Sequence, residues 1–347
     1  MLHRIIPVVA LVGLLTTPAA WAGALPTQYR VLDLGGALIR ALDDDGNAVG
    51  SRLGIPLRLR PIEEPLEQLP EGISALVNAV LGDRVVGSRG LTPHGVLWRR
   101  GQLPLDLGAL RADLFSSASA LNRKLIVGLC ANPDDASQTA IACTWALTKD
   151  TPGPAQPLPT LGGRFGSANG VSRDGFICGQ AQDQTGRTHA VCWQGAQIQD
   201  LTPQSAGESS AQDVTRYHLV VGTSVFPGFG PNASHAFAWT PQGGLVDLGV
   251  LAGGVDSELL DVTDQRRPLA VGQACQDTPG GLVCTAIRVK LDASGHGTLE
   301  DLSPLTTPPT RLREAMAVNR EGLIAAIGTD GHGVLLIPVD GEEDEDD

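Results

Sequence analysis

The sequence predicts an all-β fold, a seven-bladed β-propeller of four-stranded blades, and three observations support that prediction. The chain of 347 residues is rich in glycine (43) and proline (24), a composition typical of short strands joined by tight turns. A pattern of strands and turns recurs seven times along the chain. The two ends are also complementary, because the chain begins with a lone strand and its last repeat lacks a final one.

The repeat is clearest around three of the tryptophans. "TPHGVLWRRGQLPLDLG" (92–108), "RTHAVCWQGAQIQDL" (187–201) and "SHAFAWTPQGGLVDLG" (234–249) share His, a small residue, Trp, a turn and Asp-Leu. Each unit also has a polar residue after its first strand, at Asp43, Asn78, Asn122, Ser172, Thr215, Thr263 and Asn319. These residues are 35 to 56 positions apart, a period typical of propeller blades or solenoid repeats.

Each unit contains four strand-like segments, which favours propeller blades over a helical solenoid. In the fifth unit they are "SSAQDV", "HLVVGTS", "HAFAW" and "LVDLGV". The chain starts with "YRVLDLGG", which resembles a fourth strand, and its last unit stops after a third strand. We therefore expect residues 29–36 to pair with residues 333–339, which closes the ring and removes an exposed sheet edge.

The quoted units resemble the extracellular HAF repeat family, named for the His-Ala-Phe found here at His235, Ala236 and Phe237. "LPTLGGRFGSANGVSRDGFICGQ" (158–180) is similar to the leading half of that repeat. The first, sixth and seventh units depart from it because they lack the Trp. The resemblance implies a secreted repeat protein and carries over no catalytic residue.

The N-terminus predicts export. Residues 1–22, "MLHRIIPVVALVGLLTTPAAWA", have an early Arg4, an apolar run and an Ala-x-Ala motif, as in a signal peptide cleaved after Ala22. The apolar run is too short to span a membrane, and no later segment is long enough. We expect a secreted or periplasmic protein with one propeller domain of seven HAF-like repeats at residues 23–339 and a disordered acidic tail at 340–347.

Charge excludes one class of partner. The formal net charge is −13, and the tail "DGEEDEDD" contributes seven acidic groups. Nucleic-acid binding depends on neutralising phosphates, so a nucleic-acid partner is not expected. We expect a monomer with no cofactor, whose partner is an unidentified extracellular or envelope ligand.

The six cysteines predict three disulfides within repeats, because secretion permits them and each pair flanks one hairpin loop. The pairs are Cys130–Cys143, Cys178–Cys192 and Cys275–Cys284. Counting along the strands places Cys130 directly opposite Cys143, and Cys275 directly opposite Cys284. Cys178 and Cys192 are placed diagonally, so their disulfide is less firmly predicted. A metal site is disfavoured because the usual Cys-x-x-Cys spacing is missing.

The histidines share one repeat position at the start of the third strand, at His94, His189, His235 and His332. Strands are spaced about 4.8 Å apart, so imidazoles two strands from the axis of a propeller cannot converge on one metal. We therefore predict structural hydrogen bonds for them. The segment "LDDDGNAVG" (42–50) suggests a calcium loop, but Ala48 replaces the required Gly, and ordinary turn chemistry is the favoured interpretation.

Function is predicted from architecture, because the chain has no nucleophile elbow, Walker loop or zinc-protease motif. Rigid scaffolds with varied loops usually bind through those loops, so we predict a non-enzymatic binding propeller. The alternative is a secreted hydrolase or lyase with its active site at the mouth of the propeller channel. No catalytic residue is assigned. The ligand-binding candidates are Arg111, Arg164, Phe165, Phe226, Phe229, Asp256 and Arg311.

Overall fold

The computed structural model describes residues 25–60, 63–69, 73–137, 139–149, 151–228 and 233–339. Within these ranges the chain forms thirty short β-strands and one 3-10 turn at Ser303–Leu305. The predicted signal peptide and the acidic tail at 340–347 lie outside the described residues. Across the described part of the chain, no helix is long and apolar enough to cross a membrane.

The strands form seven antiparallel sheets of at least four strands each, which are the blades. The chain starts with β1 (Gln28–Asp33). Blade 1 contains β2 (Leu38–Leu42), β3 (Ala48–Arg52), β4 (Ile55–Arg60) and β5 (Glu64–Pro65); blade 2 contains β6 (Ala75–Leu81), β7 (Arg84–Arg89), β8 (His94–Arg99) and β9 (Leu105–Gly108). Blade 3 contains β10 (Ser116–Leu121), β11 (Leu125–Ala131), β12 (Ala140–Thr148), β13 (Thr151–Pro152) and β14 (Gln156–Pro157).

The remaining blades follow the same order. Blade 4 contains β15 (Gly162–Val171), β16 (Ile177–Asp183), β17 (Thr188–Gln194) and β18 (Gln197–Asp200); blade 5 contains β19 (Ser209–Val214), β20 (Val220–Val225), β21 (Ser234–Thr240) and β22 (Gly244–Asp247). Blade 6 contains β23 (Asp256–Val262), β24 (Leu269–Thr278), β25 (Gly281–Lys290) and β26 (Glu300–Asp301). After β27 (Thr306–Thr307), blade 7 is formed by β28 (Leu312–Val318), β29 (Ile324–Gly328), β30 (Gly333–Val339) and β1.

The predicted closure of the ring is confirmed. β1 pairs antiparallel with β30, from Gln28 opposite Val339 to Asp33 opposite Val334. Tyr29 is fully buried between blades 6 and 7, and its hydroxyl accepts a hydrogen bond of 3.1 Å from the Arg288 guanidinium. Arg288 also donates to the Pro26 carbonyl at 2.8 Å, so blade 6 holds the segment that begins the chain.

The Trp of the repeat fills the wedge between neighbouring blades. Trp98, Trp145, Trp193 and Trp239 are buried, and each packs in a core cluster shared with the preceding blade. An aromatic side chain of this size supplies much of the apolar contact that holds two twisted sheets together. Blades 6 and 7 have the smaller Val289 and Leu336 at the same register position, and blade 1 has a bulge there that contains the buried Leu59.

A glycine on the second strand lets the first strand approach closely. A Cβ at Gly222 would lie 2.0 Å from the Ser210 carbonyl oxygen and 2.9 Å from the Ala211 Cα. Five other blades repeat this contact, at Gly50, Gly87, Gly128, Gly179 and Gly272. The Val-Val-Gly-like motif of the sequence therefore marks the place where the innermost strand is pressed against its neighbour.

The polar residue after the first strand caps a turn, as predicted. Asp43 accepts hydrogen bonds from the Asp45 and Asn47 backbone N–H groups, at 3.1 and 2.8 Å, which supports turn chemistry over a calcium loop. The alignment was wrong in blade 2, where Asn78 lies inside β6 and not after it. Because Leu81 pairs with Arg84, the turn between them has two residues and needs no capping side chain.

Two of the three predicted disulfides form, Cys130–Cys143 and Cys275–Cys284. The predicted register is correct for the second pair and wrong for the first, since Cys130 lies opposite Ile141 and Cys143 opposite Gly128. The third disulfide is a correction: Cys178 and Cys192 face each other directly, yet both are free thiols. Cys178 Sγ packs against Gly170 of the first strand, and burial raises the pKa of both thiols.

Closure of the ring predicts the effect of a substitution in β1. Changing Tyr29 to Ala removes a fully buried aromatic ring and leaves the buried Arg288 without one partner. We expect the free energy of unfolding, measured by urea denaturation, to fall by about 3–5 kcal/mol. Leu103→Ala is the control, because Leu103 is 87% exposed and its loss should change stability little. Equal stability of the two variants would contradict the role of β1 in closing the ring.

Candidate functional site

The first strand of each blade lines a central channel, and a β-bulge turns one side chain of that strand toward it. The strand register shifts in every first strand, at one position in five of them and at two positions in β15 and β28. Bulges re-aim side chains in this way. The bulged residues all line one cavity of about 530 Å³: Arg40, Asn78, Ser119, Asn169, Gln212, Leu260 and Met316.

This cavity opens on what we call the crossover face, which carries the blade-to-blade connections and the loops between second and third strands. Two of its bulged residues bind the next blade. Asn78 Nδ2 donates to the Ala118 carbonyl at 2.7 Å, and Asn169 Nδ2 donates to the Ala211 carbonyl at 2.8 Å. Others are uncommitted: among the described residues, no partner is found for the side chains of Arg40, Ser119 and Gln212. They are free to bind a ligand.

One wall of the cavity is apolar. Leu76 on blade 2 is 59% exposed, and Leu260 and Met316 contribute half-buried side chains from blades 6 and 7. The polar side chains of Ser117, Ser119 and Gln212 come from blades 3 and 5. A concave site of this kind, apolar with a few unpaired polar groups, is typical of small-ligand sites.

Two carboxylates converge in the channel wall. The residue after the bulge is Ala in four blades and Gly170 in blade 4, but it is Asp213 in blade 5 and Asp261 in blade 6. The two side chains are hydrogen-bonded to each other. Asp213 Oδ2 also accepts the Val262 backbone N–H at 3.2 Å, and Asp261 Oδ2 accepts the Val318 N–H at 2.6 Å. A Cβ on residue 170 would lie 2.9 Å from Asp213, so a glycine suits that place.

This pair shares a proton. Burial raises the pKa of Asp213 well above its usual value, and the neighbouring Asp261 charge raises it further. Burial also raises the pKa of Asp261, although hydrogen bonds from Asp213 and from the backbone act in the opposite direction. Two adjacent carboxylates cannot both ionise easily, so their proximity favours a state in which the pair retains one proton. Both side chains are half-buried and contact solvent in the channel.

A second cavity of about 310 Å³ lies at the other end of the channel, and Asp213 and Asp261 line both cavities. Its mouth is formed by the turns between first and second strands, so we call this end the turn face. Its charges are largely paired, with Arg320 2.7 Å from Asp44 and Arg173 3.8 Å from Asp264. Arg123 is exposed there, on the opposite side of the molecule from Arg40.

Two of the four histidines at the shared repeat position form the hydrogen bond that the sequence predicts. The Nδ1 atoms of His94 and His235 hydrogen-bond the Asp106 and Asp247 carboxylates, at 3.0 and 2.9 Å. His189 and His332 lie 3.0 and 3.5 Å from Asp200 and Asp33 at the same repeat position. Blade 6 has Thr285 instead, whose hydroxyl donates to Asp301 at 2.9 Å. We call these contacts the His–Asp clasps.

Three of the clasps, those of His94, His189 and His235, are tied to the next blade through a serine. The Ala236 N–H, next to His235, donates to Ser257 Oγ at 2.8 Å, and that hydroxyl donates to the Gly249 carbonyl at 2.6 Å. Gly95 and Ser116 repeat the first contact at 2.9 Å. The repeated His-small and Asp-Leu motifs are therefore explained by blade-to-blade attachment. No group of three or more potential metal ligands occurs within the described residues.

The structure disperses the predicted ligand-binding residues around the crossover face. Arg111 is exposed and pairs with Asp113 at 2.7 Å. Arg164 is exposed on β15, and the pKa of nearby Asp135 is lowered first by Thr139 and also by the Arg164 charge. Phe165 is half-buried, and Arg311 is exposed.

The other predicted residues are also separate. Asp256 accepts a hydrogen bond from the Ser234 hydroxyl, and Phe226 packs partly against the core, with its ring 6.0 Å from that of His235. Phe229 lies outside the described residues. Within the described ranges, none of the predicted residues lines either channel cavity. The sequence-based prediction missed the carboxylate pair. The repeat position concerned holds Ala or Gly in the other five blades and Asp at 213 and 261.

Comparison with known proteins identifies the fold and no family. No family model matches the chain, and no curated protein matches it. The structure titled "YCF48 bound to D1 peptide" aligns over 91% of this chain and 100% of that chain, with 14% identity and a TM-score of 0.54. An acylaminoacyl peptidase from Pyrococcus horikoshii aligns over 88% of this chain and 51% of that chain, with 10% identity and a TM-score of 0.49. A gluconolactonase from Xanthomonas campestris aligns over 89% of each chain, with 13% identity and a TM-score of 0.44.

The His–Asp clasp can be tested with a substitution that the protein itself uses. His235→Ala leaves the Asp247 carboxylate without its imidazole partner, and we expect the free energy of unfolding to fall by about 1–3 kcal/mol. His235→Thr should lose less, because blade 6 makes the same contact with Thr285. His296→Ala is the control, since the side chain of His296 is 67% exposed. Urea denaturation measures all three, and equal losses for Ala and Thr would argue against the clasp.

The carboxylate pair predicts a pH dependence of stability. Because the pKa of Asp213 is raised on folding, the native state keeps a proton that the unfolded state releases. The stability contributed by this group is complete below the usual aspartate pKa and is lost as pH rises through the folded pKa. We therefore expect the stability of Asp213→Asn, relative to the unmodified protein, to increase between about pH 4 and pH 8.

The control for this pH series is Asp135→Asn. Asp135 is half-buried and its pKa is lowered, so both states are ionised above about pH 5 and the stability difference should stay flat there. Denaturation curves at several pH values provide the measurement. A flat difference for Asp213→Asn as well would contradict the shared proton.

Proposed function

We propose that this protein is a non-enzymatic binding propeller of the extracellular space or periplasm, which takes its ligand at the crossover-face end of the central channel. The fold is a seven-bladed propeller, and the binding role is the interpretation that its channel favours. One observation supports it most directly. The cavity of about 530 Å³ combines an apolar wall with the unpartnered side chains of Arg40, Ser119 and Gln212.

Unpaired polar groups in a concave site favour ligand binding because a bound molecule would supply their missing hydrogen bonds. Asn78 and Asn169 occupy the same bulge position in their own blades, but their side-chain amides bind the next blade. Arg40, Ser119 and Gln212 have no such role among the described residues. Recognition is therefore proposed for the bulged ring, and not for the dispersed loop residues that the sequence suggested.

The rim of the crossover face adds apolar surface on the same side. Leu53, Leu91 and Leu282 lie at hairpin tips of blades 1, 2 and 6, and are 97%, 84% and 58% exposed. Exposed apolar groups near a cavity are typical of recognition surfaces. The propeller titled "YCF48 bound to D1 peptide" is a precedent for peptide binding on this fold, and at 14% identity we take it as a precedent alone.

The proposed location follows from the N-terminal segment and from the disulfides. Two disulfides suit an oxidising compartment, and the signal-like residues 1–22 suggest export. Membership of the HAF repeat family is proposed on the same motifs, now with a structural reason for them. The His and Asp of the repeat form the clasps, and its Trp fills the space between blades.

A second candidate function rests on the carboxylate pair. Asp213 and Asp261 share a proton and contact the channel, so they have the arrangement of a general acid and base. This supports the alternative of a hydrolase or lyase. The binding role is preferred because both carboxylates already accept a backbone N–H from the next blade, which gives them a structural purpose.

The proposal can be tested by retention of extracellular compounds. Immobilised protein is incubated with small molecules and peptides from culture medium, and the retained compounds are identified by mass spectrometry. We expect Arg40→Gln to reduce the retention of the specific compounds about tenfold or more, through loss of a charged hydrogen bond. Arg123→Gln is the matched control, because it removes the same charge from an exposed site at the turn face.

Three outcomes are decisive. Loss of retention in Arg40→Gln but not in Arg123→Gln supports the channel site. Unchanged retention in Arg40→Gln, combined with loss in the Arg164→Ala/Arg311→Ala variant, would move recognition to the loops. Conversion of a retained compound with time, abolished by Asp261→Asn, would replace the binding role with the enzymatic one.

A further inference from the structure

We propose that the ligand of the channel is a small zwitterion with an apolar side chain, of the amino acid or short peptide class, bound between Arg40 and the Asp213–Asp261 pair. This inference rests on the proposed binding function and specifies its ligand. It is drawn from the position of the charges in a single cavity. Arg40, Asp213 and Asp261 all line the space of about 530 Å³ at the crossover face.

The two charged groups face each other across the channel. Arg40 belongs to blade 1, and Asp213 belongs to blade 5, which is three blades away in a ring of seven and therefore as distant as the ring allows. The two groups form no ion pair with each other in the described structure. A ligand with a positive and a negative end would bridge them.

Each end suits a particular chemical group. The guanidinium of Arg40 is exposed and unpartnered among the described residues, and its planar fork matches a carboxylate. The carboxylate pair keeps one negative charge when it shares a proton, which matches a single ammonium group. A ligand with an α-carboxylate and an α-ammonium group has both.

The charges outside the cavity favour the same orientation. Asp256 and Glu314 lie close enough to Glu258 for their negative charges to raise the pKa of its carboxyl, after the larger effect of burial. These acidic residues are on blades 6 and 7. They would attract the ammonium end of a ligand toward the side on which the Asp pair lies, because opposite charges attract over this range.

The apolar part of the cavity lining suits the apolar side chain of the ligand. Leu76, Leu260 and Met316 lie in the cavity between the two charged walls. Burying an aliphatic side chain against them is favourable at roughly 25 cal/mol for each Å² removed from water. A free apolar acid would lack the ammonium, and an apolar amine would lack the carboxylate.

Isothermal titration calorimetry tests the inference with defined probes. L-leucine, Leu-Leu and Leu-Leu-Leu are titrated into the protein, together with N-acetyl-Leu-Leu and Leu-Leu amide. We expect one length of zwitterion to bind, and each blocked form to bind about tenfold more weakly or worse, because it loses one charged contact. The three lengths distinguish a free amino acid from a short peptide.

Variants assign each end of the ligand to its wall. Arg40→Gln should bind the zwitterion and the amide equally. Asp213→Asn/Asp261→Asn keeps oxygen atoms for the Val262 and Val318 N–H groups and should bind the zwitterion and the N-acetyl form equally. Arg123→Gln should behave as the unmodified protein does, and thermal melting checks the folding of every variant. If the double variant does not fold, Arg40→Gln with the acid and amide pair decides alone.

Two results would overturn the inference. Equal binding of blocked and free peptides by the unmodified protein would remove the need for the two charged groups. Alternatively, no zwitterion binds while Arg40-dependent retention from culture medium persists, in which case the ligand class is wrong and the binding function stands. Loss of both would reject the proposed function itself.

Discussion

The pairing of the first strand with the last holds this molecule in a ring. A propeller blade packs against two neighbours, so an open array of seven would leave two faces and a sheet edge exposed. The antiparallel register of β1 on β30 removes those edges, and Tyr29 fills the wedge between blades 6 and 7 where the Trp of the repeat is missing. All seven inner strands face one channel only because the ring is closed. The arrangement of the channel residues therefore depends on the pairing of β1 with β30 in blade 7.

Within the ring, neighbouring blades are joined by a repeated set of contacts at different radii. The clasp serines bind the blades near the crossover face, the tryptophans fill the space between sheets, and the capped turns close the opposite face. Close to the axis, Asn78 and Asn169 bind the adjacent blade through its backbone. These contacts are polar as well as apolar, and they fix the angle between blades more specifically than burial alone.

The bulge in the first strand separates structural from functional positions. The residue before the bulge is buried in all seven blades and is Ala in four of them. The bulged residue itself faces the channel, and it differs in nearly every blade: Arg, Asn, Ser, Gln, Leu and Met all occur there. One backbone irregularity, next to a glycine of the second strand in six of the seven blades, therefore provides seven positions that the repeat does not constrain.

The sequence by itself determined the number of blades, the strands within them, the closing segment and two of the disulfides, because these follow from local periodicity and from turn chemistry. It misplaced the polar residue of blade 2, since a two-residue turn removed the need for a cap at the expected position. It paired Cys178 with Cys192, which are free thiols in the structure. The site was decided by tertiary structure: Arg40, Asp213 and Asp261 are up to 221 positions apart and meet only when closure places blades 1, 5 and 6 around one axis. Loop residues such as Arg111 and Arg164 look equally suitable in sequence, but whether a side chain has a partner or faces a cavity depends on blades that are distant in the chain.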